Sequence, residues 1–181
     1  MSAAKKSKRE KPPDERSSYI VGIGTSAGGL EALKTFFDNV QPNCQVAFVI
    51  VQHLSPDYKS LMAELLAKNT QLPMREVREN MAIEPGNIYL IPPRNNMVVK
   101  NGKLHLTERP PAHRLNLPID LFFRSLADDQ MESAISIVLT GTGSDGSRGV
   151  RAVKEVGGMV MVQRPDTAKF DGMPNSAIAT G

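Results

Sequence analysis

Apolar residues follow two kinds of pattern along the chain. Short unbroken runs occur at Tyr19–Ile23, Val46–Val51, Ile88–Ile91, Ala134–Leu139 and Met159–Val162. Such runs, bounded by Gly, Pro or polar residues, predict strands buried on both faces. Between them, apolar residues recur at helical spacing. Leu30, Leu33, Phe36 and Phe37 predict one helix; Leu61, Leu65 and Leu66 predict another, closed before Pro73. Pro118 to Ala127 suits a helix with proline in its first turn, and a further helix is predicted from Arg148 to Val156. Pro92 and Pro93 stop the third strand. Met97–Lys100 and Lys103–Leu106 flank Asn101-Gly102, a two-residue hairpin signal. Strands alternating with helices predict an α/β fold: a doubly wound, mainly parallel sheet with helices on both faces and one antiparallel hairpin. No internal repeat is visible.

Composition narrows the classes. The 181 residues suffice for one domain with a sizeable core, and 40% are hydrophobic. Residues 1–18 are almost free of apolar side chains and are read as a disordered basic leader, leaving 19–181 as the folded domain. That leader holds six bases and three acids, the whole of the net charge of +3. The folded part is therefore neutral, and the pI of 9.1 is weak evidence for nucleic acid. No apolar run could span a bilayer and no signal peptide is present, so a soluble cytoplasmic protein is expected. The single Cys44 excludes an internal disulfide framework, and no His/Cys/carboxylate grouping has metal-ligand spacing. No metal and no cofactor are expected.

Three polar residues occupy equivalent places after strands. Ser26 follows the first, His53 ends the second, and Asp145 follows the strand Ala134–Leu139. In open α/β sheets ligands bind outside the carboxyl ends of strands. These three supply a nucleophile, a base and a carboxylate, the parts that activate a serine hydroxyl. Gly24-Thr-Ser26-Ala-Gly28 fits the G-x-S-x-G elbow, whose glycines allow a sharp turn and close substrate approach. The N–H groups of the following helix can meet a developing oxyanion. Each residue has a plainer reading too: Ser26 as a helix cap, His53 as a structural hydrogen-bonder, Asp145 as a turn residue. The case rests on their joint occurrence. Gly22-Ile-Gly24-Thr-Ser-Ala27 also satisfies a dinucleotide fingerprint, but the second strand ends in Gln52-His53, not the acid that would hold a ribose. All three histidines precede Asp145, so the order is Ser–His–Asp, unlike that of an ordinary α/β-hydrolase. His105 lies in a hairpin strand and His113 in a Pro-rich connection; neither is assigned a catalytic role.

Ile23-Gly-Thr-Ser-Ala-Gly-Gly29, Gln52-His53, Leu139-Thr-Gly-Thr-Gly-Ser-Asp-Gly146 and Gly172-Met-Pro174 resemble the catalytic domain of the chemotaxis methylesterase CheB. The resemblance runs from about Ile20 to the last residue. It implies a protein-glutamate methylesterase that hydrolyses glutamyl methyl esters on chemoreceptor helices, releasing methanol, with deamidation of glutamines as an accompanying activity. It carries the nucleophile onto Ser26, the base onto His53 and the acid onto Asp145, and it places Thr142 and Gly143 beside the oxyanion. Ala27 stands where the family commonly has threonine, with Thr25 as a candidate replacement; Gly28 completes the substrate vicinity. Regulated members carry a receiver domain before the esterase, and the family usually continues past the position of Gly181. The resemblance therefore implies a domain truncated at its C-terminus and a methyltransferase domain in the same full-length protein as partner, besides the receptor helices. A non-catalytic signalling module with the same fold is the alternative.

Overall fold

A computed structural model describes residues 19–52, 62–110 and 115–181. The predicted leader at 1–18, His53, Leu61 and His113 lie outside the described residues. The chain runs β1 (Tyr19–Thr25), α1 (Gly29–Phe37), β2 (Val46–Gln52), α2 (Met62–Leu66), β3 (Met74–Glu76), β4 (Met81–Ala82), β5 (Ile88–Leu90), β6 (Asn95–Lys100), β7 (Lys103–Glu108), α3 (Pro118–Gln130), β8 (Ala134–Val138), α4 (Ser147–Glu155), β9 (Met159–Val162) and α5 (Gly172–Ile178). Six strands form a parallel sheet in the order β3-β5-β2-β1-β8-β9. The predicted hairpin is present as β6–β7, and β4 adds a short third strand to it.

Alternate residues of the central strands serve two cores. Ile20 of β1 and Ala47, Val49 and Val51 of β2 pack with Ile119, Phe122, Phe123 and Leu126 of α3 and Val150 and Val153 of α4. Val21 and Ile23 of β1 and Phe48 and Ile50 of β2 pack with Leu33 and Phe37 of α1 and Leu66 of α2. Both faces of β1 are thereby covered, which is why its sequence is apolar without alternation. Burying these side chains contributes roughly 1.5–3 kcal/mol for each large one.

The glycines of β1 have a packing reason. A Cβ on Gly22 would stand 2.9 Å from Phe122 Cε1, and one on Gly24 would overlap the Ile119 methyl. Helix α3 therefore lies directly on the backbone of β1. Those two glycines of the dinucleotide fingerprint are spent on helix–strand contact, not on a ligand.

Candidate functional site

Strand β1 sits where the chain order reverses: β2 pairs on one side of it and β8 on the other. Ligands of doubly wound sheets bind in the crevice at such a switch point. The two segments that leave β1 and β8 there are the serine turn and the turn 140–146.

Strand β1 continues to Thr25, two residues further than the sequence pattern indicated, so Ser26 directly follows it. Thr25 is fully buried, and its hydroxyl donates to the Thr140 carbonyl at 3.0 Å. It braces the turn from inside and does not face a substrate. The Ser26 N–H donates to the same carbonyl at 3.0 Å. Ser26, Ala27 and Gly28 are half-buried. Gly28 then turns the chain into α1 with φ of 75°, a left-handed conformation that favours glycine.

The opposing turn approaches closely. A Cβ on Gly141 would stand 2.9 Å from the Ser26 Cβ, so backbone occupies that space. Thr142, Gly143 and Ser144 are exposed, and Gly143 has a φ of 81°. Helix α5 and Phe170, just ahead of it, clamp the turn: the Gly141 N–H donates to the Phe170 carbonyl at 3.0 Å, the Met173 N–H to the Gly141 carbonyl at 2.9 Å, and the Ser176 hydroxyl to the Gly143 carbonyl at 3.2 Å. The motif Gly172-Met-Pro174 was visible in sequence; its function as a clamp was not. Thr140 Oγ1 lies 3.1 Å from both the Ala27 and Phe170 carbonyls and accepts the Phe170 N–H at 2.9 Å.

Asp145 is buried, with only 7% of its surface exposed. Its carboxylate accepts the N–H groups of Asp120 at 2.9 Å and Ile119 at 3.2 Å, in the first turn of α3. Burial pushes the Asp145 carboxyl up to about 6, those amides and that of Gly146 pull it down, and the charge of Asp120 raises it. A carboxylate can accept further hydrogen bonds, so this capping leaves lone pairs for another donor. His53 follows Gln52, whose register partner is Thr25, the residue before Ser26. His105 pairs with Glu79 at 2.8 Å on the hairpin. Among the described residues, no three His, Cys, Asp or Glu side chains form a group able to hold a metal ion.

The site is an open edge. A groove of 720 Å³ opens beside it on the α1 face, reaching Gly28, Thr140 and Lys169 over a floor that includes Leu139 and Met161. Ser26 is not among its lining residues.

The family model described as CheB methylesterase matches residues 21–181. The chain belongs to the CheB methylesterase family. A protein-glutamate methylesterase/protein-glutamine glutaminase of the group 3 operon from Rhodopseudomonas palustris is 33% identical over 177 residues, which cover 96% of this chain and 48% of that protein. An uncharacterized 104.1 kDa protein of Rhodobacter capsulatus is 47% identical over 121 residues, 66% of this chain but 12% of that protein. The chain thus spans about half the length or less of these curated relatives. The crystal structure of the Thermotoga maritima CheB methylesterase catalytic domain superposes with a TM-score of 0.81 at 30% identity, over 90% of this chain and 88% of that one. The CheB fold is the doubly wound, mainly parallel sheet described above. No helix among the described residues is long and apolar enough to cross a membrane.

Proposed function

We propose that this chain hydrolyses glutamyl methyl esters on chemoreceptor helices, through an acyl-enzyme on Ser26. The observation that carries this reading is the convergence at the switch point. The serine turn is hydrogen-bonded to the turn of β8, which also bears the buried carboxylate Asp145. His53, at the end of β2, removes the Ser26 proton as Oγ attacks the ester carbonyl, and delivers that proton to the departing methoxide, giving methanol. Water, deprotonated by the same histidine, then releases the glutamate carboxylate. Asp145 orients the imidazole and favours its charged form. A primary amide follows the same course with ammonia as leaving group, in keeping with the second activity in the relative's name.

The Ser26 N–H is committed to the Thr140 carbonyl, so it is not the oxyanion donor. The N–H groups of Ala27 and Gly28, ahead of α1, and of Thr142 and Gly143, in the exposed turn, take that role. No cofactor is needed. On the family resemblance, a methyltransferase domain in the same full-length protein is a further proposed partner.

The test is methanol release from a methylated receptor cytoplasmic domain. Ser26→Ala should lower the rate by roughly 10³-fold or more while keeping the fold, since it deletes one oxygen. Near-wild-type release by a folded Ser26→Ala protein would sink the mechanism. No release by the wild-type chain from any methylated receptor domain would favour a non-catalytic module.

A further inference from the structure

Two carboxylates are exchanged between α3 and α4. Asp145 lies just before α4 and caps the first turn of α3, through the N–H groups of Ile119 and Asp120. Asp120 lies in the first turn of α3 and caps α4 in return: its Oδ1 accepts the Gly149 N–H at 2.8 Å. The helices approach closely at this point, where a Cβ on Gly149 would stand 3.1 Å from the Asp120 carbonyl. Asp120 is 5% exposed, and its Oδ2 is buried with no hydrogen-bond partner among the described residues. A helix cap needs one carboxylate oxygen and is usually at the surface. A second buried carboxylate beside the first, with an oxygen left over, is more than capping requires.

We propose that Asp120 is a positioning residue for the esterase reaction: it fixes the turn that carries Asp145 and adds a second negative charge beside it, so that the site holds a carboxylate pair and not one aspartate. This rests on the triad reading given above. The two helix N-termini supply the positive field that allows two carboxylates to share the site. The Asp120 charge is among the influences that hold a proton on Asp145. Other charged groups on the packed elements stand apart. Arg124 and Asp128 of α3, and Arg148, Arg151, Lys154 and Glu155 of α4, are exposed, as are Lys100 of β6, Glu132 after α3 and Tyr19 of β1. Asp129 of α3 is engaged with the backbone N–H groups of Asn101 and Gly102 in the hairpin turn. Strands β2, β8 and β9 and helix α5 carry no titratable group.

Asp120→Asn tests the charge separately from the cap, because the amide oxygen can still accept the Gly149 N–H. Removing one anion lowers the pH at which Asp145 gives up its proton. The acid limb of the kcat/KM profile should therefore move down by about half a pH unit or more, a roughly threefold gain at fixed pH relative to each protein's own plateau. A merely structural residue would change the plateau or the melting temperature and leave the limb in place; an unmoved limb overturns the proposal. Should the variant fail to fold, carboxyl ¹³C resonances of the wild-type protein serve instead. The Asp120 signal should respond at the inflection of Asp145, and an Asp120 signal blind to that inflection would overturn the pairing. This second measurement needs no activity. It therefore stands apart from a failure of the esterase reading, which would show as absent methanol release.

Discussion

Thr140 ties three segments with one residue. Its carbonyl accepts the Ser26 N–H and the Thr25 hydroxyl, while its own hydroxyl meets Ala27 and Phe170. Thr140→Val keeps the shape and deletes the hydroxyl, leaving the Phe170 N–H without its acceptor. Stability should fall by about 1–3 kcal/mol in denaturant unfolding. In kinetics kcat should fall more than KM rises, because the serine turn loses its brace; a change confined to KM would contradict this. Asp145 gives a second residue-scale expectation. Its carboxyl sits at about 6 in the fold against an ordinary 3.8, so the folded chain holds that proton more tightly than the unfolded chain. Ionised at neutral pH, the group opposes folding, and its contribution to stability improves as pH falls from about 6 toward 4. The stability of the wild type relative to Asp145→Asn should therefore rise between pH 7 and 4; a flat difference would refute the burial account. Ser26 and Asp145 were legible in sequence as candidates because glycine-rich turns mark them. Thr140 and Asp120 were not. A threonine ending an apolar strand, and an aspartate in a helix's first turn, look like ordinary strand and cap residues.

At the scale of elements, the contact between β1 and α3 sets the height of Ser26. Gly24→Ala would press a methyl into Ile119, the same side chain that lies 2.9 Å from a Cβ built on Gly146. Overpacking of this kind costs about 1–3 kcal/mol. It should also reduce activity, because Ile119 lies next to the Asp145 cap. A Gly24→Ala protein with wild-type melting temperature and rate would show that α3 yields freely. Long apolar runs and helical spacing made β1, β2, β8, α1, α3 and α4 readable. The elements that were missed are brief. β3 and β4 hold three and two residues, and α5 holds seven with no extended apolar stripe. They are fixed by tertiary contacts: β3 by pairing with β5, β4 by pairing with β7, and α5 by clamping the turn 140–146. Local pattern cannot announce contacts of that kind.

For the whole molecule, the open edge predicts what it prefers to bind. Short exposed turns grip a lone ester weakly, so orienting energy has to come from remote parts of a larger partner. A methylated, folded receptor domain should exceed a short unstructured peptide with the same ester by at least roughly tenfold in kcat/KM, about 1.4 kcal/mol. Equal values would show that recognition ends at the ester. The strands could be read from sequence, but their order could not. Apolar runs do not name their neighbours, and the pairing of β1 with β8, which brings the serine turn to the turn that carries Asp145, is a property of the assembled sheet. That pairing also has a consequence in time. Thr25 and Thr140 are 115 positions apart in the chain. During synthesis the serine turn leaves the ribosome long before the strand that shapes it, at roughly 5–20 residues per second. A nascent chain stopped before β8 thus carries Ser26 in a turn not yet braced by Thr140, and contacts so distant in sequence close slowly. In refolding, helical signal should return first and esterase competence last.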